Sequence, residues 1–374
     1  YNYTRKESRK MKKISLLFVG LAASLMIPFA VHAEGTSIAD RFETSFVEAI
    51  ENRYGITADE FTDEWAASQK SLDLANMNIG GIDKGGVDAH VLTNYFTNLE
   101  ELNVSGNQLG GLPNLPSTLK VLNVADNQIT ALPNLTPILT DLDISGNQIR
   151  ELTTLPETLV YFDASNNPLA ALITLPAGLE ELYVSNCGLS ALITLPESLK
   201  VLDASENELP GLPPLPANLE TLNVSENQLE GLAPFPAALK NLDVSGNGLT
   251  GLPDFPANLE TLNVSNNALT ALPDLAPTIT ILDLSNNQLT ELPILPENLT
   301  TLNIKGNKIE QVLASQLPDS LVDFESDVEV TDDIASDSTE IVENPETSDT
   351  VLLFVSVAFI SLVVSVFSYK KLHN

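Results

Sequence analysis

From Leu99 to Pro318, apolar positions return on a twenty-residue period, and the pattern L-x-x-L-x-V-x-x-N-x-L-x-x-L-P-x-L-P-x-x is written eleven times. The first copy reads LEELNVSGNQLGGLPNLPST from Leu99, and the ninth reads LETLNVSNNALTALPDLAPT from Leu259. A fixed period of this length predicts stacked units that share one continuous core. Within each unit the alternation around positions four and six predicts a short strand with one buried face. Leu102 and Val104 are expected to point inward, and Glu101, Asn103 and Ser105 to face solvent. Position eleven (Leu109, Ile129, Ile149, through Ile309) returns a third apolar side chain to the same core. One unit cannot cover that face alone, so its neighbours must.

Position nine is Asn in ten copies, among them Asn107, Asn127, Asn227 and Asn307. A buried amide is unfavourable unless its donors and acceptors are met. The pattern therefore predicts a ladder in which each Asn bonds backbone groups at the turn leaving the strand. Cys187 takes this place in the fifth copy and is the single cysteine. It reads as a small buried ladder residue, with no disulfide framework and no redox or nucleophilic role. Prolines at positions fifteen and eighteen, such as Pro113 and Pro116, fix φ and forbid a helix, which predicts a thin, extended, polyproline-like side opposite the strands. Twelve strands at about 4.8 Å give a parallel sheet roughly 50 Å long. Copies three to five replace the first proline by Thr153, Ile173 and Ile193, and the eleventh has two extra residues before Leu317. In the fourth, Phe162 stands for Leu and Ala164 for Val, a compensation of core volume.

The pattern resembles the bacterial class of leucine-rich repeat, the twenty-residue type found in secreted effectors and surface proteins. The resemblance covers residues 69–324 and implies a repeat solenoid: short parallel β-strands on a concave face, an extended convex side and an N-terminal helical cap. Residues 34–68 supply that cap. Ile38, Phe42, Phe46, Ile50 and Tyr54 lie four apart, which predicts an amphipathic helix over 37–54 stopped by Gly55. Thr57 with Glu60 reads as a capping box that opens a second helix through Phe61 and Trp65. Leu72, Leu74 and Ile79 then match core positions of a first, irregular repeat of about thirty residues, its back holding a helix around 87–96.

Both ends of the chain carry targeting patterns. Residues 1–10 precede a good start at Met11 and read as upstream read-through. Residues 11–33 follow the charged, apolar, small-residue order of a secretory signal peptide, with cleavage expected between Ala33 and Glu34. Residues 325–350 are rich in Asp, Glu, Ser and Thr without Lys or Arg, which predicts a disordered, self-repelling spacer. Residues 351–368 form an uncharged apolar run, about 27 Å as a helix and enough to cross a bilayer. The tail 369–374, with Lys370 and Lys371, is then expected on the cytoplasmic side. Just before the run stand Asn344, Pro345, Glu346, Thr347 and Ser348. Motif, apolar helix and basic tail together resemble a cell-wall sorting signal of Gram-positive bacteria. The resemblance implies that a sortase cuts between Thr347 and Ser348 and joins the Thr carbonyl to peptidoglycan. The motif departs from the common L-P-x-T-G form at Asn344 and Ser348. Without cleavage the helix stays in the membrane, and the repeats are still outside the cell.

Charge narrows the partners. Between Glu34 and Thr347, 10 basic residues face 48 carboxylates, a net charge of −38. Such a surface repels nucleic acid and anionic membranes and favours basic protein patches or divalent cations. No catalytic constellation emerges: His90 is the lone histidine after residue 33 and before residue 373, and no H-E-x-x-H, C-x-x-C or nucleophile elbow occurs. Effector ubiquitin ligases with related repeats carry a separate domain with a nucleophilic cysteine, and no counterpart of it is expected here. Neither an enzyme nor a cofactor is expected.

Binding by the exposed strand positions remains. Position five is polar throughout, which the repeat itself largely explains. The template breaks at Tyr161 (position three) and Tyr183 (position five) on adjacent strands, flanked by Asp163, Glu181 and Asp203. Exposed aromatics ringed by carboxylates would suit a basic ligand. Ca²⁺ between carboxylates such as Asp143 and Asp163 is a weaker option, because a hard cation takes six to eight oxygens and a sheet offers few per site; no metal site is expected. The sequence thus reads as an exported, surface-anchored protein that binds a protein or glycan through its concave sheet, adhesin- or receptor-like. Two alternatives stay open: a structural wall-attached spacer without specific ligand, and a secreted effector-like scaffold.

Overall fold

Strands of only three residues carry the architecture. In the computed structural model, which describes residues 37–84, 88–152 and 154–333, β1 (Ser71–Asp73) pairs with β2 (Glu101–Asn103). Ten more strands follow at twenty-residue intervals, β3 (Val121–Asn123) through β12 (Thr301–Asn303). All are parallel and in strict register, so Leu102 lies beside Leu122 and Leu142 beside Phe162. The expected signal peptide with its Ala33–Glu34 junction, the motif at Asn344, Pro345, Glu346, Thr347 and Ser348, the apolar run 351–368 and the tail lie outside the described residues, as do residues 1–10. Among the described residues, no helix is long and apolar enough to cross a membrane.

The strands are short because a local competitor captures the backbone. In ten repeats the position-five Asn or Asp Oδ1 accepts the N–H two residues on, at 2.9–3.2 Å. This Asx turn ends the ladder. Position eight then adopts left-handed backbone in every copy, with φ between 51° and 68°. Gly, Asn and Asp fill most of these places, the residues that tolerate that region. Position five is therefore half-buried turn machinery rather than the solvent-facing display read from the alternation. Several position-seven serines, including Ser145 and Ser205, are buried with it.

Behind the strands, positions one, four, six and eleven form the continuous core: Leu119, Leu122, Val124 and Ile129 are all shut off from solvent. Phe162 and Ala164 are both fully buried, as expected of a large residue offset by a small one. The asparagine ladder stitches each unit to the one before it. Asn127 Nδ2 donates to Val104, Val124 and Ala125 carbonyls at 3.0, 3.0 and 3.1 Å, and its Oδ1 accepts from Leu109 N–H at 2.9 Å. Among the described residues, the opposite side of repeats one to ten holds neither helix nor strand. Turns close it, as where Leu119 N–H donates to Pro116 O at 3.1 Å.

The N-terminal end differs from the expected helix over 37–54. Ile38 N–H donates to Phe61 O at 2.9 Å and Ser37 pairs with Thr62, so this stretch packs alongside the chain. Helix α1 (Thr44–Tyr54) begins after Glu43, whose carboxylate accepts from Ser45 N–H, and ends as expected at Gly55, with φ 68°. Thr57 and Glu60 do bond, at 2.8 Å, but they close a turn; Thr62 caps α2 (Asp63–Ser68) instead. The helix behind the first repeat is the short α3 (Val91–Tyr95). Phe42, Phe46, Phe61, Trp65 and Phe96 pack ring to ring beneath these helices. Tyr54 hydroxyl accepts Asp73 N–H at 3.0 Å, and Arg53 pairs with Asp73, so the open edge of β1 is covered.

At the other end the sheet gains a thirteenth strand, β14 (Asp323–Glu325), paired with β12. Two further short strands, β13 (Val312–Leu313) and β15 (Val330–Thr331), pair with each other. Gly306 N–H donates to Asp327 carboxylate at 2.6 Å, and Lys305 Nζ reaches Glu325 at 3.1 Å. The acidic stretch expected as spacer from residue 325 thus opens with an ordered end unit through 331.

Candidate functional site on the strand face

Positions two, three and five of β2 to β12 line up into rows, because residues twenty apart in sequence are neighbours in the sheet. Position two is a row that sequence reasoning missed. Lys120, Lys200 and Lys240 each bond the Glu one repeat earlier, Glu100, Glu180 and Glu220, at 2.7, 2.8 and 2.7 Å. The signal was available as alternating Glu and Lys at the same place in successive copies. These pairs are exposed and contribute little stability, but they neutralise the repeat lysines at the rim. Positions three and five carry Glu101, Asp141, Asp143, Asp163, Glu181, Asp203, Asp243 and Asp283 with no Lys or Arg.

All five sequence-predicted residues converge on β5 (Tyr161–Asp163), β6 (Glu181–Tyr183) and β7 (Val201–Asp203). Tyr161 lies beside Glu181, Asp163 beside Tyr183, and Tyr183 beside Asp203. The two tyrosine rings sit 5.6 Å apart with planes tilted by 44°. They are less exposed than expected: Tyr183 retains 9% of its surface and Tyr161 is half-buried. Each ring covers the other along the sheet, which the period-two pattern of one strand does not reveal. Tyr183 hydroxyl donates to Glu181 Oε2 at 3.0 Å. Burial, followed by Asp163 and Asp143, pushes the Tyr161 hydroxyl pKa far upward, so it stays protonated. Asp163 and Asp203 accept from Ser165 and Ser205 N–H at 2.9 and 3.1 Å, which orients both carboxylates.

Directly behind this patch the ladder is interrupted. Cys187, buried to 2%, donates weakly to Ala164 O and Ser185 O at 3.3 and 3.4 Å. It offers no carbonyl oxygen, and Leu169 N–H turns to Asn167 O at 2.9 Å. Burial raises the thiol pKa to about 11, so little thiolate exists at neutral pH. Asp143 and Asp163, considered for Ca²⁺, are two carboxylates on adjacent strands; among the described residues no group of three His, Cys, Asp or Glu side chains is placed to hold a metal ion. His90 lies at the cap with its Nδ1 3.4 Å from Asn114 Nδ2. On the opposite side, Phe235 and Phe255 stack at 6.3 Å among Pro234, Pro253 and Pro256.

Leucine-rich repeat family models match residues 98–119 and 278–297, and residues 116–131. No curated protein matches the sequence. Among solved structures, the chain is similar to YopM from Yersinia enterocolitica WA-314, with 38% identity and a TM-score of 0.57 over 64% of this chain and 58% of that one. The chain thus spans 58% of that protein's length. It shares its fold with the functional domain of InlJ from Listeria monocytogenes, which includes a cysteine ladder, at 24% identity and TM-score 0.64 over 79% and 72% of the two chains. It is also similar to a chain of the LRIM1/APL1C complex, at 27% identity and TM-score 0.52 over 65% and 49%. The twenty-residue period, the in-register parallel sheet and these likenesses together establish the chain as a leucine-rich repeat solenoid.

Proposed function

We propose that this protein is exported, held at a bacterial cell surface by its C-terminal segment, and binds a protein or glycan partner through its strand face in an adhesin- or receptor-like role. The observation that carries the reading is the Tyr161–Tyr183 pair, an aromatic centre within a row of carboxylates, where every other repeat has Asn or Asp at position five. Aromatic anchors surrounded by polar groups are the usual centres of protein interfaces. The LRIM1/APL1C neighbour is itself a complex, which fits an interaction scaffold. The sorting-like motif at Asn344–Ser348 and the apolar run 351–368 supply the anchoring part of the proposal.

The test has two arms. A photo-crosslinking residue at Val201, the half-buried neighbour of Glu181 on β7, in the full chain on intact cells should yield a discrete adduct, whereas one at Thr270 on the opposite side should not. Adducts from neither site would favour the wall-attached spacer, a reading supported by the Asx turns that already account for most position-five residues. In the second arm, Thr347→Ala should move the protein from wall to membrane fractions. Recovery of the whole protein from the medium would instead favour an effector-like scaffold.

A further inference from the structure

Resting on the reading that the strand face binds a partner, we infer that its ligand is an extended protein segment bearing arginines on alternate residues, the central guanidinium seated on the Tyr161–Tyr183 rings. The fold departs from its own local bonding there. Ten repeats close the turn after the strand through a position-five oxygen; Tyr183 has none at that place, and its hydroxyl bonds Glu181 instead. In the same two repeats, Pro168 lacks the N–H that Gln128, Gln148 and Glu208 donate, each at 2.9 Å, to position eleven of the preceding copy. Cys187 lacks the amide oxygen that Asn127, Asn147 and Asn167 offer to position eleven of the preceding copy, and Leu169 N–H bonds Asn167 O instead. Three local rules fail within one stretch of an otherwise regular chain. Departures of a chain from its own local rules concentrate at functional sites.

Charge selects a cationic partner. Positions three and five of β2 to β12 hold eight carboxylates and no Lys or Arg, and the position-two lysines are each paired with Glu. A cationic partner meets complementary potential along the whole row, and an anionic one is rejected. The Tyr161 ring, half-buried and braced by the Tyr183 ring at 5.6 Å, keeps an exposed part that a flat guanidinium can stack against, with Glu181 beside it on the next strand. A lysine ammonium has no plane to stack.

Spacing then sets the ligand's form. Asp143 and Asp203 lie three strands apart, about 14 Å at the usual strand separation, with the tyrosine pair midway. An extended chain places residues i, i+2 and i+4 on one face at intervals of about 7 Å. Arginines at those places reach Asp143, the ring pair and Asp203 together.

The probes are labelled peptides carrying Arg-Gly-Arg-Gly-Arg or Lys-Gly-Lys-Gly-Lys, titrated by fluorescence anisotropy against the full chain in detergent at low and high salt. We expect the arginine peptide to bind at least about fivefold more tightly, with both affinities falling as salt rises. The double variant Tyr161→Thr, Tyr183→Asn installs residues that other repeats use at these positions, so the fold is kept and the Asx turn is restored. It should bring the arginine-to-lysine ratio close to one. Equal binding of the two peptides by the unaltered chain, or a ratio unchanged in the double variant, overturns the inference. An adduct at position 201 without arginine preference would sink only this ligand assignment. Arginine preference without any adduct on cells would sink only the surface-receptor reading.

Discussion

Removing one rung tests the idea that the asparagine ladder welds the stack. Asn227 sits mid-solenoid, where its Oδ1 accepts Leu209 N–H at 3.0 Å and its Nδ2 reaches Ala204, Val224 and Ser225 carbonyls at 3.0, 3.1 and 3.1 Å. In Asn227→Ala the buried Leu209 N–H loses its acceptor, an unmet donor worth about 1–3 kcal/mol. The three carbonyls lose a shared donor, a smaller term because carbonyl oxygens tolerate partial satisfaction. Together the loss is about 3 kcal/mol. Because the rung spans two units, it weakens an interface as well as one repeat. Asn227→Cys copies what the chain has at Cys187: a thiol donates weakly and is a poor acceptor, so about half to most of that loss is expected. Conversely, Cys187→Asn returns an acceptor to Leu169 N–H and should gain about 1 kcal/mol. Urea denaturation of the full chain followed by circular dichroism reads all three as midpoint shifts at constant slope. If Asn227→Ala lies within about 0.5 kcal/mol of the parent, water replaces the amide and the ladder does not hold the repeats together.

Other outcomes follow from the same geometry. Gly146→Ala combines left-handed backbone, φ 65°, with a Cβ driven into Asp126 Oδ1, and should destabilise by about 1–2 kcal/mol in the same assay. Ala164→Val alone overpacks the fully buried site beside Phe162 and should be destabilising by about 1–3 kcal/mol; adding Phe162→Leu should recover much of it, a coupling that a double-mutant cycle measures. Asp243 has its carboxyl pKa raised by burial, so the folded state penalises the charged form. Stability from this group is gained as pH falls through the raised pKa and lost as pH rises through it. Asp243→Asn, with the residue found at Asn223 and Asn263, should therefore raise the urea midpoint at pH 7, and the gain should vanish below the ordinary aspartate value of 3.8. The Cys187 thiol, buried and with its pKa at about 11, should resist iodoacetamide at pH 7 until denaturant opens the stack; rapid labelling of the folded chain would refute the packing described for it.

Much of this protein was legible in one dimension. The period alone dictated stacked parallel strands, because an apolar face repeated every twenty residues can be buried only against its own copies. The ladder role of Asn107 through Asn307, the thin side with its prolines and the stop at Gly55 also follow from residue chemistry close along the chain. Tertiary structure decided what lies across it. The helix expected over 37–54 begins only at Thr44, because Phe42 is extended and pairs with Asp83 while Glu43 N–H donates to Ile82 O. A thirteenth strand and the end unit through residue 331 form because β12 offers an open edge that the acidic composition of that stretch does not betray. Tyr183 is buried rather than displayed, and Lys200 is paired with Glu180, because Tyr161 and Glu180 stand 22 and 20 residues away in sequence but one strand away in space. Alternation along one strand tells which face a side chain takes; only the lateral register of the sheet tells what it meets there.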